Sequence, residues 1–311
     1  MSDTRFLEIP PQLAGQRLDR ALAQLVPEYS RNRLQQWIRD GQVLLDGKRT
    51  TPRAQVAEGA QVQLRATPQP PDSPVEAQRM DLDIRYRDEQ LLIINKPPGL
   101  VVHPAVGNRD GTLQNALLHV DAALATVPRA GIVHRLDKDT SGLLVVARTL
   151  QAHSSLVRQL AERSVKREYL ALVGAEVVAG GRIEAAIGRH PVDRKRMAVR
   201  PGGKSAVTEY RVAARYRGFT LLNVRLETGR THQIRVHLKH LGMPLVGDRT
   251  YGGRARYPRG ASPGLRAALD AFPRQALHAA RLGLQHPASG EKLLWEAEPP
   301  ADFRRLLAAL T

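Results

Sequence analysis

The sequence predicts an α+β protein of two domains, the larger of which has a mixed, largely antiparallel sheet flanked by helices. Three observations carry this prediction. The 311 residues exceed the usual size of one small domain. Predicted strands often follow one another without an intervening helix, which favours antiparallel pairing. A proline-rich segment, residues 67–80, is typical of an extended linker and separates residues 1–66 from residues 81–311.

Residues 1–66 are predicted to hold two short helices followed by strands. The helices are RLDRALAQLV and SRNRLQQWIRDGQ, and the strands are VLLDGKRT and VAEGAQVQL. We expect Ser30 to cap the second helix, Gly41 to end it and Asp46-Gly47 to form a hairpin turn. Positive side chains available to bind RNA are Arg20, Arg31, Arg33, Arg39 and Lys48. The arrangement resembles an S4 RNA-binding module; the alternative is a generic two-helix appendage.

Residues 81–311 are predicted to mix strands and helices. The strands are LDIRYRDEQLLIINKP, GLLVVA, SVKREYLALVG, TEYRVAARY and FTLLNVRLE. The helices are GTLQNALLH, LQAHSSLVRQLAE, THQIRVHLKHLG and DFRRLLAAL. This order is typical of a sheet with helices around it.

The charge of the chain indicates a polyanionic partner. The formal net charge is +17 and the pI is near 10.9. The charge is clustered, since residues 182–217 carry ten Lys or Arg against three acids. Basic surfaces of this kind gain affinity by releasing counterions from phosphates, so nucleic acid is the leading candidate. A membrane surface would also suit this charge, but the sequence shows no basic amphipathic helix with an aromatic face.

The same composition predicts a cytoplasmic protein. The longest apolar runs, residues 143–147 and 306–310, are far shorter than the roughly 20 residues that span a bilayer. The first residues, MSDTRFLEIPPQ, lack the pattern of a secretory signal. There is no cysteine, which excludes a disulfide framework.

The candidate motifs for cofactor and metal binding lack the residues or the spacing that such sites require. Gly203-Lys204-Ser205 looks like the end of a phosphate loop, but Ala198 stands where that motif requires glycine. The histidines of the third predicted helix of the larger domain, His232, His237 and His240, do not have the HExxH spacing of a zinc site. We therefore expect no cofactor and no metal.

The segment GIVHRLDKDTSGLLVVA, residues 131–147, places charge between two apolar runs. Burying an ionised Asp137 is costly without a cation and hydrogen bonds, so this residue is either half of a structural ion pair or a functional carboxylate. Asp139 lies in DKDTSG, a composition that commonly forms a tight turn.

This segment resembles the signature of the RluA-type pseudouridine synthases. INKPPGLVVHP is similar to the first motif of that family, KREYLALV to its tyrosine strand and LETGRTHQIRVHL to its third motif. An S4-like unit before these motifs is typical of the members that modify the large ribosomal subunit. The resemblance covers almost the whole chain.

The resemblance implies a role for each matching residue. Asp137 is the catalytic carboxylate, which attacks or deprotonates the ribose around C1′ and C2′ of a target uridine. Arg230 is its salt-bridge partner, with a phosphate contact as the alternative. Tyr169 stacks on the target base and handles the C5 proton, with core packing as the alternative. Arg135 enters the RNA stack where the uridine flips out. The residues that shape or support the pocket are Asn95, Lys96 and His103.

The predicted function is therefore isomerisation of specific uridines in large-subunit ribosomal RNA, by a monomer acting on free RNA or on assembling or intact subunits. Three alternatives stay open at this point. They are a base-releasing RNA glycosylase, a pseudouridine synthase directed to transfer RNA, and an S4-type RNA-binding or ribosome-assembly factor without catalysis. The presence of Asp137, Tyr169 and Arg230 together argues against the last, because binding alone does not require them.

Overall fold

The computed structural model describes residues 3–27, 29, 31–66, 75–105, 107–253 and 257–311. The chain divides into two compact units, Met1–Pro74 and Val75–Thr311. Ser30, the predicted helix cap, and residues 67–74 of the predicted linker lie outside the described residues. Within the described part of the chain, no helix is long and apolar enough to cross a membrane.

The first unit packs two helices on a small antiparallel sheet. Its elements are β1 Asp3–Glu8, α1 Leu18–Leu25, α2 Arg31–Arg39, β2 Val43–Leu45, β3 Lys48–Arg49 and β4 Gln61–Ala66. The strands lie in the order β1-β4-β2-β3. Leu18 and Leu22 of α1 and Leu34 and Ile38 of α2 are buried together against the sheet. The two predicted helices are confirmed.

Two local features of this unit follow directly from residue type. Gly41 has φ +76°, and beyond it the Gln42 amide donates to the Trp37 carbonyl at 2.9 Å, so a left-handed glycine ends α2 as predicted. Asp46 and Gly47 have φ values of 50° and 73°, the two positive values that a type I′ hairpin turn requires. The predicted hairpin turn is confirmed.

The second unit is built on one large sheet with helices around it. Its strands are β5 Ile84–Arg87, β6 Leu91–Lys96, β7 Ser141–Ala147, β8 Lys166–Val173, β9 Gly181–Glu184, β10 Ile187–Arg189, β11 Met197–Val199, β12 Val207–Tyr216, β13 Phe219–Leu226, β14 Leu277–Gln285 and β15 Lys292–Glu296. Its helices are α3 Leu113–Val120, α4 Leu150–Ala161, α5 Gln233–His240, α6 Pro263–Ala271 and α7 Ala301–Ala308.

The order of strands in the large sheet is β5-β6-β7-β14-β8-β13-β12-β9, and β15 pairs with β14. Among the described strands only β7 and β14 run parallel, through His278 opposite Ser141 and Ala279 opposite Gly142. A hairpin of β10 and β11 stands apart from this sheet. The prediction of a mixed, largely antiparallel sheet flanked by helices is confirmed.

Two differences from the sequence prediction concern boundaries and missed elements. Residues 75–80, assigned to the linker, belong to the second unit: the Asn115 side chain donates to the Glu76 carbonyl at 2.8 Å, and the Gly111 amide donates to the Gln78 side chain at 2.7 Å. The elements that were not predicted are strands β1, β9 to β11, β14 and β15, and helix α6.

Candidate active site

The segment around Asp137 forms a loop that leads into strand β7. The Thr140 amide donates to the Asp137 carbonyl at 3.1 Å and closes a turn. The Gly99 amide donates to the Lys138 carbonyl at 2.9 Å and ties the loop to the segment that follows β6. The backbone is fixed in this way while the Asp137 side chain stays 16% exposed.

Lys96, at the end of β6, is fully buried beneath this loop. Its ammonium donates to the carbonyls of Pro97, Leu100 and Lys138 at 2.8, 3.0 and 2.9 Å. Burial lowers the pKa of Lys96 to about 7, an effect that the carboxylates of the loop oppose. The Lys96 ammonium thus holds the backbone of the Asp137 loop through its hydrogen bond to the Lys138 carbonyl.

The cation bound to Asp137 is Arg235, on the buried face of α5. Its Nη1 donates to Asp137 Oδ2 at 3.0 Å. Its Nε and Nη2 donate to the two oxygens of Asp248 at 2.7 and 2.9 Å. Burial acts to lower the pKa of Arg235, but the bonds and charges of Asp248 and Asp137 raise it above its ordinary value. One guanidinium therefore holds two carboxylates, and Asp137 keeps a permanent positive neighbour.

The predicted pair between Asp137 and Arg230 is wrong. Arg230 is exposed, and its Nε donates to the Ser205 carbonyl at 3.1 Å. It lies in the loop before α5, whereas Arg235 is inside the helix and on its buried side. Arg230 still lines the pocket described below, which keeps the alternative of a phosphate contact open.

His232 occupies the N-cap of α5 in a left-handed conformation, with φ 57°. Its Nδ1 lies 2.8 Å from the Tyr251 hydroxyl, and its Nε2 lies 3.9 Å from Asp137 Oδ1. The same hydroxyl accepts from the Met197 amide at 2.9 Å. Burial lowers the pKa of His232, opposed by the charge of Asp137. If neutral His232 accepts a hydrogen bond from the Tyr251 hydroxyl at Nδ1, its own proton is on Nε2, which faces Asp137.

Strand β8 places Tyr169 on the same side of the sheet as the pocket. Tyr169 is 6% exposed, packs in the main core and lines the pocket with Asp137. Burial raises the pKa of its hydroxyl. Arg167 lies two residues earlier, and the alternation along the strand buries both side chains on one face.

Asp137, Tyr169, His232 and Arg235 line one pocket of about 330 Å³, which we call the Asp137 pocket. The only carboxylate that lines it, among the described residues, is that of Asp137. The basic side chains that line it are Arg129, Arg135, Arg167, Arg230, Arg235, His103, His134 and His232. The pocket is thus strongly positive around a single anionic group, an arrangement suited to an RNA substrate and a reactive carboxylate.

Two histidines of the pocket are neutral in the folded protein. Burial lowers the pKa of His134 to about 3, and its Nε2 accepts from the Val145 amide at 3.2 Å. Burial, helped by the charges of Arg129 and Arg135, lowers the pKa of His103 to about 4. Within the described ranges, no cluster of three or more His, Asp or Glu side chains could hold a metal ion.

Of the three other residues predicted at the site, two line the Asp137 pocket and one does not. Arg135 is exposed and lines the pocket. His103 also lines it, but Asn95 does not, since the Asn95 side chain donates to Asp83 at 2.9 Å. Asn95 instead holds Asp83, in the segment before β5, and its support of the pocket stays a prediction.

The basic residues of the first unit are mostly at its surface. Arg20, Arg39 and Lys48 are exposed. Arg31 is also exposed but bonds the fully buried Asp19 at 2.9 Å. Arg33 is half-buried, with its guanidinium 6.0 Å from the centre of the Trp37 ring. Their predicted contact with RNA stays a prediction.

Sequence reasoning missed Arg167, His232, Arg235, Asp248 and Tyr251 as site residues. A signal existed for Arg235, because an arginine on the apolar side of THQIRVHLKHL must find a carboxylate if the helix packs with that side inward. Asp248 and Tyr251 lie in PLVGDRTYGG, which has no periodic pattern to show that it folds back on α5.

Comparisons with known families match both units. A family described as RNA pseudouridylate synthase matches residues 90–240, and the S4 domain family matches residues 16–62. The first match contains Asp137, Tyr169 and Arg235, and the second contains both helices of the first unit.

Similar proteins cover nearly all of the chain. "Ribosomal large subunit pseudouridine synthase D" of Pseudomonas aeruginosa is 55% identical over 100% of this chain and 97% of that protein. The protein of the same name in Escherichia coli is 52% identical over 95% of this chain and 91% of that protein. The solved structure of human RNA pseudouridylate synthase domain containing 4 has TM-score 0.58 and 27% identity, over 73% of this chain and 92% of that one.

Proposed function

This chain belongs to the RNA pseudouridylate synthase family, and from that premise we propose that it converts uridines of large-subunit ribosomal RNA to pseudouridine, with Asp137 as the catalytic carboxylate. The observation that carries the proposal is the bond between Asp137 and Arg235 inside a strongly positive pocket. The substrate is proposed from the full-length similarity to proteins named for the large ribosomal subunit.

The reaction exchanges one bond to the ribose for another. The bond from N1 of the base to C1′ breaks, the base turns, and a bond from C5 to C1′ forms. The proton on C5 leaves and N1 gains one, so substrate and product are isomers. A single carboxylate suffices to start it, either by attack at C1′ or by removal of a proton at C2′, because both require an anion beside the ribose.

The pocket supplies what this chemistry needs. Arg235 pairs with Asp137 and orients its carboxylate, since its guanidinium is itself fixed by two bonds to Asp248. Tyr169 offers a ring for the uracil to stack on while it is detached, an interaction worth about 1–3 kcal/mol. We propose that its hydroxyl receives or passes on the C5 proton. Arg135, exposed at the pocket, takes the space the flipped uridine leaves in the RNA.

The first unit, as an S4 domain, adds RNA affinity outside the pocket. Its exposed side chains Arg20, Arg39 and Lys48 are suited to phosphate contacts, which position RNA without reading its sequence. We expect the protein to act as a monomer in the cytoplasm, on ribosomal RNA in free form or in large subunits.

The experiment that tests the proposal compares Asp137→Asn with Asp139→Asn. Each change removes one negative charge with little change in volume. Asp137→Asn should abolish pseudouridine formation in ribosomal RNA while leaving RNA affinity nearly unchanged, and Asp139→Asn should keep most of the activity. Pseudouridine is mapped in RNA treated with each purified variant. Equal loss of activity in the two variants would contradict the assignment of Asp137.

The same assay separates the rival functions. Free uracil released by the wild-type protein would identify a base-releasing glycosylase. RNA binding without any change of the base would identify a non-catalytic factor. Modification of transfer RNA in preference to ribosomal RNA would identify the other substrate class.

A further inference from the structure

Arg167 is a buried cation in the Asp137 pocket that the mechanism above does not use. It is 7% exposed and lies on β8, two residues before Tyr169 and on the same face. Residues at this spacing on a strand are about 7 Å apart. A nucleotide whose base rests on Tyr169 therefore has its backbone within reach of the Arg167 side chain.

The guanidinium of Arg167 is poorly satisfied by the protein. Its Nη2 donates to the Glu227 carbonyl over a long 3.4 Å, and its Nε is buried without a hydrogen-bond partner. The Glu227 carboxylate bonds Arg163 and Arg182 instead. Arg167 forms no ion pair with any residue in the described ranges. Burial lowers the pKa of Arg167, which reflects the cost of a desolvated charge.

The pocket also lacks a spare anion for this cation. Its one lining carboxylate among the described residues, Asp137, is bonded to Arg235. The loop beside Arg167 leaves room for the guanidinium, because a Cβ added at Gly229 would lie 2.8 Å from Arg167 Nη1. A buried guanidinium with free donors, held open to a pocket, is a site prepared for an anion.

We propose that Arg167 binds a backbone phosphate of the RNA next to the target uridine, as a phosphate site inside the Asp137 pocket. The phosphodiester is the anionic group of RNA, and the planar fork of arginine matches two of its oxygens. The site would couple entry of the flipped nucleotide to neutralisation of the buried charge. The proposal rests on the proposed function, since it takes RNA as the molecule that fills the pocket.

The proposal predicts opposite effects on stability and on binding when the charge is removed. Arg167→Gln should melt at or above the temperature of the wild-type protein, because an unpaired buried charge has been removed. The same variant should bind a ribosomal stem-loop about 10- to 100-fold more weakly. Its plot of log affinity against log salt should be shallower by about 0.7–0.9, the value of one phosphate contact.

Three controls make this measurement specific. Arg158→Gln removes the same charge from the exposed side of α4, outside the residues that line the pocket, and should leave affinity and salt slope nearly unchanged. Arg167→Lys keeps the charge without the fork and should retain the salt slope with only part of the affinity. RNA with a neutral methylphosphonate beside the target uridine should weaken binding to the wild-type protein but not further weaken binding to Arg167→Gln.

Each alternative outcome overturns the proposal. Weaker binding with an unchanged salt slope would mean that Arg167 contacts an uncharged atom such as a uracil carbonyl. A lower melting temperature with unchanged RNA affinity would mean a structural role. The proposed function is checked separately by pseudouridine formation with the wild-type protein and its absence in Asp137→Asn, so the failure of one is distinguishable from the failure of the other.

Discussion

At the scale of single residues, the site depends on which arginine is buried. Arg230 and Arg235 lie five positions apart in one motif, and both are cations with the reach to pair with a carboxylate. Only Arg235 lies on the inner face of α5, where it is 7% exposed and bonds both Asp137 and Asp248. Arg230 lies in the loop before α5, so the apolar side of the helix is the signal in the motif that separates the two arginines.

A first prediction separates these two arginines by substitution. Arg235→Gln leaves two carboxylates without their cation and should lower the free energy of unfolding by about 3–5 kcal/mol. Arg235→Lys keeps the charge but cannot bridge both carboxylates, so it should slow turnover about 100-fold. Arg230→Gln should fold normally and weaken RNA binding. Denaturant unfolding and single-turnover assays measure these effects, and equal stability of Arg235→Gln and Arg230→Gln would contradict the geometry.

A second prediction concerns acid stability. The pKa of His134 is about 3 in the folded protein, against about 6.5 in an unfolded chain. Between these values the unfolded state holds more protons, so the free energy of unfolding should fall as pH drops below 6.5. The slope is about 1.4 kcal/mol per pH unit for one histidine. Urea unfolding over this range should show a smaller slope in His134→Gln. His119→Gln, a change at an exposed site, should leave it unaltered.

At the scale of elements, the Asp137 loop is positioned by the strands on either side of it and by Lys96 beneath it. The loop enters β7, whose seven residues are all buried. Lys96 ends the neighbouring strand β6 and donates to three carbonyls, one of them in the loop. A buried ammonium thus replaces the water that irregular backbone would otherwise require.

A third prediction follows for this buried ammonium. Lys96→Met keeps the length of the side chain but leaves at least the Pro97 and Leu100 carbonyls without the donor they have now. The free energy of unfolding should drop by at least about 2 kcal/mol, at about 1–3 kcal/mol for each carbonyl. Lys138→Met, at an exposed position of the same loop, should change it by less than about 0.5 kcal/mol. Urea unfolding compares the two, and equal effects would contradict this role for Lys96.

The sequence predicted elements best where a local pattern determines them. Helix α2 with its terminal Gly41, and strand β7 with its continuous apolar run, were predicted because their signals are contained within a few residues. Strand β14 was missed because its buried positions include His278, whose ring is satisfied by Ser141 and by the Ala297 carbonyl. Those partners are distant in sequence, so a polar residue there interrupts the pattern that identifies a strand.

At the scale of the whole molecule, the chemistry is proposed for one unit, and RNA contacts outside the pocket are proposed for the other. Asp137, Tyr169 and Arg235 lie in Val75–Thr311, and the S4 family match lies in Met1–Pro74. Of the net charge of +17, residues 1–74 carry +2, from ten Lys or Arg against eight acids, and residues 75–311 carry +15, so most of the long-range attraction of a polyanion comes from the second unit.

A fourth prediction tests this division by deleting residues 1–74. The second unit keeps its own internal bonds, including those of Glu76 and Gln78, and should fold and modify RNA at low salt. The salt dependence of binding should be shallower by about 0.7–0.9 for each phosphate that the first unit binds in the full-length protein. Selection among uridines should be poorer. Binding across a salt series and maps of modified sites compare the two proteins. Identical affinity, slope and sites would mean that the first unit does not bind this RNA.

The position of β14 in the sheet determines when the fold can be completed during synthesis. Strands β5 to β7, the last of which follows the Asp137 loop, and strands β8, β13, β12 and β9, of which β8 carries Tyr169, join only through β14 among the described strands. Residues 277–285 leave the ribosome near the end of synthesis. A nascent chain without them lacks the strand between β7 and β8 and the pocket-lining Leu277, so we expect it to expose strand edges although every motif of the reaction has been translated. We therefore expect no activity before these last segments emerge, and a premature stop before residue 277 should yield an inactive, aggregation-prone product.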